Sequence, residues 1–159
     1  VDAAQSVAYR RALGVFPTGV TVVTCEDAQG PLGLTANSFT SVSLDPPLIL
    51  WCLHNQSDRR HAFAAAKRFA INMLAAGDEG HSQRFAGQAH RIDPAELDSA
   101  PGRAPLLKGA LTRLECRTHK RLELGDHSVI VGEVTAFDTR EGDALLFFRG
   151  SYGRASVGE

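Results

Sequence analysis

The chain has 159 residues, 43% hydrophobic and 22% charged, with a formal net charge of −1. A single domain of this size can bury a sizeable core. The near-zero charge leaves nothing to draw the whole chain to nucleic acid or an anionic membrane. Basic pairs at Arg10-Arg11, Arg59-Arg60 and Lys67-Arg68 are isolated and read as solvated faces. Cys25, Cys52 and Cys116 are odd in number and widely spaced, unlike a disulfide framework. Each sits in an apolar run and reads as a small buried hydrophobe, which fits a reducing cytoplasm. No basic leader precedes an apolar core, and no apolar run is long enough to cross a bilayer, so a cytoplasmic protein is expected.

Residues 2–14 read as a short helix, with Val7, Leu13 and Phe16 towards a core and Arg10 and Arg11 outside. Pro17-Thr18-Gly19 breaks it. Residues 20–25 are dense in β-branched side chains and form a strand. A turn at 27–30 leads into a return strand at 32–35. Pro46-Pro47 precedes the apolar run 48–53, expected as a strand buried on both faces. Ser57 stands as the N-cap of an alanine-rich helix over 58–67, with Asp58 complementing its N-terminus. Residues 69–74 are a strand and 78–86 a short helix. Residues 90–108 hold three prolines and are the expected loop and mobile stretch. Period-two alternation over 113–120 gives a strand. Gly125-Asp126 turns the chain, 129–134 is the next strand, and 145–148 is the last. Roughly seven strands and a few short helices lack the regular alternation of a doubly wound sheet. A β-barrel with helices packed outside fits better. Residues 1–159 read as one domain, without repeats or linkers.

Three segments suit chemistry. Residues 33–41, Gly-Leu-Thr-Ala-Asn-Ser-Phe-Thr-Ser, are small and hydroxyl-rich between apolar strands. Such a segment lets a flat ligand approach the backbone and hydrogen-bond at its polar edge. It also describes an edge strand with a solvated face. Residues 54–60 place Ser57 and Arg59 or Arg60 at a helix N-terminus, where free N–H groups and partial positive charge suit a phosphate. Asp58 opposes an anion there, and an ordinary capped surface helix is the plain alternative. Gly125-Asp126-His127 holds an imidazole just after a tight turn, fit for substrate positioning or for stabilising the bend alone. Residues 147–154 mix aromatics, glycine and arginine, and could cover a planar ring or close the core. Cys52-Leu53-His54 and Cys116-Arg117-Thr118-His119 lack the repeated ligand pairs of a zinc site, so no metal is expected. No G-x-G-x-x-G opens a helix, so no Rossmann nucleotide site is expected.

Taken in order, PTGVTVVT, GLTANSFTSVSLDPPLILWCL, FAINML, RFAG, GDHSVIVGEV and ALLFFRGSYG resemble the flavin reductase domain family. These are the small reductase components of two-component flavin monooxygenases. The resemblance runs from Tyr9 to Tyr152. It implies a mainly β fold with short α-helices, a split β-barrel of the Greek-key FMN-binding type. It also implies a homodimer with flavin near the subunit boundary, hydride transfer from NADH or NADPH to FMN or FAD, and a separate monooxygenase that receives reduced flavin.

Residue by residue, the resemblance implies that Thr35, Ala36, Asn37 and Ser38 border the isoalloxazine ring, with Ser41 beside them. Asn55, Ser57 and Arg59 fall on the flavin phosphate side. Phe85, Ala86 and Gly87 match a loop close to the flavin. His127 matches a histidine associated with the nicotinamide ring and is the expected catalytic position. Tyr152 matches an aromatic on the nicotinamide side. Relatives often carry a cation just before the phosphate serine, where this chain has Asn55-Gln56. Phosphate charge then falls to the helix end and Arg59 or Arg60, which leaves FMN and FAD both open. Two other readings are a split-barrel oxidase of the pyridoxamine-phosphate oxidase type and a flavin-binding module without turnover.

Overall fold

The computed structural model describes residues 2–100 and 102–158. In chain order its elements are α1 (Ala3–Leu13), β1 (Thr18–Gly19), β2 (Thr21–Asp27), β3 (Gly30–Ala36), β4 (Thr40–Leu44), β5 (Pro47–His54), α2 (Arg60–Ala65), β6 (Arg68–Met73), α3 (Glu79–Ala86), a 3₁₀ turn (Pro94–Glu96), β7 (Thr112–Leu124), β8 (His127–Thr139), β9 (Ala144–Phe148) and β10 (Ser151–Ala155). The protein is mainly β, as expected, though richer in strands than the sequence reading. The short strands β1 and β4 went unnoticed, and β10 follows the strand taken as the last.

Seven strands form one antiparallel sheet in the order β3-β2-β6-β7-β8-β5-β4, and β1, β9 and β10 form a second. The sheets meet along a seam where Leu145 N–H donates to Leu74 O at 3.1 Å and Ala75 bridges Ala144. This gives the open, split form of barrel. The long β7–β8 hairpin closes on two residues, Gly125-Asp126, between the paired Leu124 and His127. Gly125 has φ 62°, a left-handed conformation in which a glycine avoids the Cβ clash.

The strand buried on both faces is β2, not β5. Thr21 to Cys25 are all buried, because β2 lies between β3 and β6 and separates two apolar clusters. Alternate side chains of a strand point to opposite faces. Val23 and Cys25 enter one cluster with Trp51, Phe63 and Phe69, and Val22 enters the other with Phe85 and Leu107. In β5 only Ile49, Trp51 and Leu53 are buried, alternating with half-buried Leu48, Leu50 and Cys52. The unbroken apolar run there reflects a second face covered only in part.

The stretch expected to be loop-like and mobile is tied down. Thr24 Oγ1 donates to Pro105 O at 2.5 Å, Leu107 N–H donates to Asn72 Oδ1 at 2.9 Å, and Ile92 and Leu107 are buried. Arg84 pairs with Glu96, and Arg91 with Asp27. This segment and α3 supply the layer that buries the second face of β2.

Helix α1 starts at a capping box, Gln5 N–H donating to the Asp2 carboxylate at 2.8 Å and Asp2 N–H to the Gln5 side chain. It buries no residue. Val7, Leu13 and Phe16, expected in a core, are exposed, because no layer of the described residues lies over the helix. Cys25 and Cys116 are buried and their thiols are pushed up to about 12, mainly by desolvation, so they behave as apolar filling. Cys52 is half-buried. Among the described residues, no helix is long and apolar enough to cross a membrane.

Candidate active site

Four of the expected ring-side residues converge. Thr35, Asn37, Ala86 and Tyr152 line one cleft of about 200 Å³ together with Val20 and Phe147. β3 ends at Ala36 on the edge of the large sheet, which exposes the following residues. A neighbouring cleft of about 340 Å³ shares Val20 and Asn37 and is also lined by Phe16, Thr18 and Phe39. The walls are braced. Thr35 Oγ1 donates to Ser82 O at 2.6 Å, Tyr152 Oη and Ser82 Oγ are hydrogen-bonded at 2.7 Å, and the Phe147 and Tyr152 rings meet edge to face. Ser82 escaped the sequence reading. It lies on the inward face of α3 and meets its partners only across 47 and 70 residues of chain.

Two features of the clefts suit a planar ligand with a polar edge. The backbone N–H groups of Asn37, Ser38 and Phe39, between β3 and β4, find no acceptor among the described residues. Thr18 Oγ1, in the wall of the second cleft, is buried without a partner. Buried polar groups are normally satisfied, and this hydroxyl is unsatisfied. Ser38 is not, since its Oγ accepts from Cys52 N–H at 2.9 Å and donates back to Cys52 O. It fastens the loop to β5. Ser41 lies on exposed edge strand β4, next to a bulge.

His127 opens β8 opposite His54, their rings 4.9 Å apart. Asp126 accepts from His127 Nδ1 at 2.7 Å, and its other oxygen is 3.9 Å from His54 Nε2. The hydrogen bond to His127 holds the Asp126 carboxyl below its ordinary range. Asn55 joins this end of the sheet. Its N–H donates to Asp126 O, and its Oδ1 accepts from Ser128 Oγ at 3.0 Å. The sequence marks the Asp126-His127 turn and the 54–60 segment separately, and pairing of β5 with β8 is what brings His54 to them.

Three expectations need correction. Ser57 does not cap a helix running over 58–67. α2 is Arg60–Ala65, its N-cap residue is Arg59, and Ser57 Oγ accepts from Arg59 N–H at 3.2 Å within the preceding turn. Arg59 is not free for a phosphate. It is 5% exposed and donates to the carbonyls of Gly33, Phe85 and Gly87. Its Nε stands 3.2 Å from the exposed Asp58 carboxylate, as an ion-pair contact without hydrogen-bond alignment. Phe85 cannot border a ligand with its ring, which is fully buried against Gly33; Ala86 alone of that loop faces the cleft. Helix periodicity places Phe85 inward. The carbonyls at the end of α3 attract Arg59 because they lack intrahelical donors.

A mainly β split barrel with a braced cleft at its sheet edge defines the fold class and the place of the candidate site. Residues 13–156 match the flavin reductase like domain. The chain is 45% identical over 152 residues to the NADH-dependent FMN reductase SmoA of Agrobacterium fabrum, spanning 96% of this chain and 87% of that protein. It is 41% identical to the reductase component of the trigonelline monooxygenase of Acinetobacter baylyi, but spans only 47% of that longer protein. The solved structure of the NADH:FAD oxidoreductase SgcE6 of Streptomyces globisporus superposes with a TM-score of 0.88 at 39% identity, covering 100% of this chain and 98% of that one. A second structure of SgcE6 contains NAD and FAD fragments. The chain therefore belongs to the flavin reductase like domain family. It is an oxidoreductase, a flavin reductase.

Proposed function

We propose that the protein uses NADH or NADPH to reduce FMN or FAD in the cleft between Thr35, Asn37, Ala86 and Tyr152, then releases reduced flavin to a separate monooxygenase. The observation that carries this is the run of unpartnered N–H groups at Asn37, Ser38 and Phe39 beside that cleft. When bound, a flavin supplies the hydride-accepting ring. The three N–H groups would be free to donate to the ring's polar edge, where negative charge would grow on reduction. Tyr152, fixed by Ser82, and Phe147 wall the cleft and limit water. The rest is positioning, since hydride transfer needs its atoms held about 3–3.5 Å apart.

His127 is the residue assigned to the nicotinamide, with Asp126 holding its Nδ1 so that Nε2 faces outward as the working nitrogen. Asn55 and Ser57 are the residues assigned to the flavin phosphate, with Ser57 Oγ accepting from the Arg59 backbone N–H. Relatives that are the reductase components of monooxygenase systems favour release of reduced flavin in a cytoplasmic two-component system. Exposed Val7, Leu13 and Phe16 around α1 and Val42 and Leu44 on edge strand β4 favour a homodimer that covers them. A mass near twice 17.1 kDa by light scattering is the expected result, and a fully active monomer contradicts it.

The test crosses FMN and FAD with NADH and NADPH in steady-state assays, then repeats the best pair anaerobically. Reduced flavin should pass a filter that retains protein. Flavin that stays bound through many turnovers identifies a self-contained oxidase, and tight flavin without NADH oxidation identifies a carrier. His127→Ala should raise the KM for the nicotinamide nucleotide about tenfold or more while flavin affinity holds, which corresponds to ~1.4 kcal/mol of lost binding. Loss of flavin affinity at unchanged nicotinamide KM assigns the histidine to the other substrate.

A further inference from the structure

The C-terminal end of α1 carries a cationic cleft that no step above uses. Arg10, Arg11 and Arg149 line it with Gly14, Val15 and Gly150, around about 370 Å³. We propose that these three arginines form a second anion site, which takes a phosphoryl group from the adenylate half of a dinucleotide substrate. The proposal rests on the reductase reading above.

The first argument is charge. None of the three guanidinium groups has an ion-pair partner among the described residues, whereas Arg91, Arg103 and Arg113 each hold a carboxylate. In the basic cleft at Arg68, Arg103 and Arg117, Arg103 pairs with Glu115 of the same lining and Arg117 with Glu133 beside it. Three unpaired cations around one cavity repel one another, and an anion relieves that repulsion. Guanidinium forks suit phosphoryl oxygens in particular.

The second argument is that the ordinary role of last-turn arginines is already filled. Such residues often satisfy orphan carbonyls at a helix C-terminus. Here backbone groups do so. Gly14 N–H donates to Arg10 O, Val15 N–H to Ala12 O, Phe16 N–H to Leu13 O, and Arg149 N–H to Gly14 O. That last bond fastens the helix end to the β9–β10 hairpin and sets Arg149 beside Arg10 and Arg11.

The third argument is backbone conformation. Arg149 and Gly150 form the two-residue loop between the paired Phe148 and Ser151, with φ 50° and 78°. Both central residues of such a turn need positive φ, which Asn, Asp or Gly adopt more easily. An arginine there is strained, and strain of this kind points to function. Its guanidinium also stands 5.3 Å over the Phe148 ring.

Place determines which phosphate is meant. The cleft adjoins the ring-binding region through two short chain segments: Val15 precedes Phe16, and Gly150 lies two residues before Tyr152. The flavin's own phosphate is assigned above to Asn55 and Ser57, so a second phosphoryl group belongs to the adenylate of FAD or of the nicotinamide dinucleotide.

The test uses Arg149→Asn, which removes the cation but keeps a residue suited to the turn, and Arg10→Gln/Arg11→Gln. AMP is titrated calorimetrically into wild type and variants. KM values are measured for FMN against FAD and for NADH against reduced nicotinamide mononucleotide. Arg149→Asn should weaken AMP about tenfold, with an equal or higher melting temperature. A matching rise in KM for FAD but not FMN identifies the flavin's adenylate. A rise for NADH but not the mononucleotide identifies the nicotinamide dinucleotide's. Unchanged AMP affinity in both variants, equal losses for full and truncated substrates, or a changed dimer mass at constant AMP affinity overturns the proposal. Failure of the wild type to oxidise NADH with any flavin instead counts against the reductase reading, and the AMP titration still decides the cleft.

Discussion

Replacing Arg59 with leucine should destabilise the protein by about 3–5 kcal/mol, because it leaves up to three carbonyls without a donor at ~1–3 kcal/mol each. Those carbonyls, at Gly33, Phe85 and Gly87, belong to edge strand β3 and to the end of α3. Arg59 thus joins the two elements that carry Thr35 and Ala86 into the cleft. A lysine at this position has one compact ammonium, which cannot span the three acceptors as a planar fork does. Arg59→Lys should therefore recover less than half of the lost stability. Denaturant titration reads the stability, and flavin affinity under native conditions should fall with it, equally for riboflavin and FMN. A variant of wild-type stability that loses only FMN would show instead that Arg59 serves the phosphate.

Gly132→Ala should be the most damaging single-methyl change in the sheet. A Cβ there would lie 2.5 Å from Phe69 Cζ and 3.0 Å from the Cys116 Cβ. Phe69 and Cys116 are almost fully buried, and Phe69 is also held edge-on to Trp51 at 6.1 Å, so neither can yield at small cost. Overpacking of this kind costs about 1–3 kcal/mol and sometimes more. Phe69→Leu makes room, so the double variant should be more stable than the sum of the two single losses predicts. A coupling of about 0.5–3 kcal/mol is expected for side chains in direct contact. Strict additivity would mean that β8 shifts to accept the methyl group. The cleft lies elsewhere, so kcat of whatever protein remains folded should hold.

Much of this was legible in the chain. The β-branched run at Val20 to Cys25, the alternation at 113–120 and the Gly125-Asp126 turn each declare a local structure, because propensity, period and positive φ act within a few residues. The ordered strings from PTGVTVVT to ALLFFRGSYG are enough to place the chain among flavin reductases, and Thr35, Asn37, Ala86 and Tyr152 do meet in one cleft. Whether an apolar run is buried on one face or two depends on what covers it. Ile92, Leu107 and Phe85 cover the second face of β2, whereas β5, expected to be buried on both faces, is covered on its second face only in part. A helix start is equally open to tertiary override, and Ser57 lost the capping position once Arg59 was drawn onto the carbonyls of β3 and α3. Ser82 with Tyr152, His54 with His127, and Arg149 with Arg10 and Arg11 meet only through the fold. Sequence determines which groups a chain can offer. Long-range strand pairing and burial determine which of them meet, because those energies depend on neighbours that local sequence does not specify.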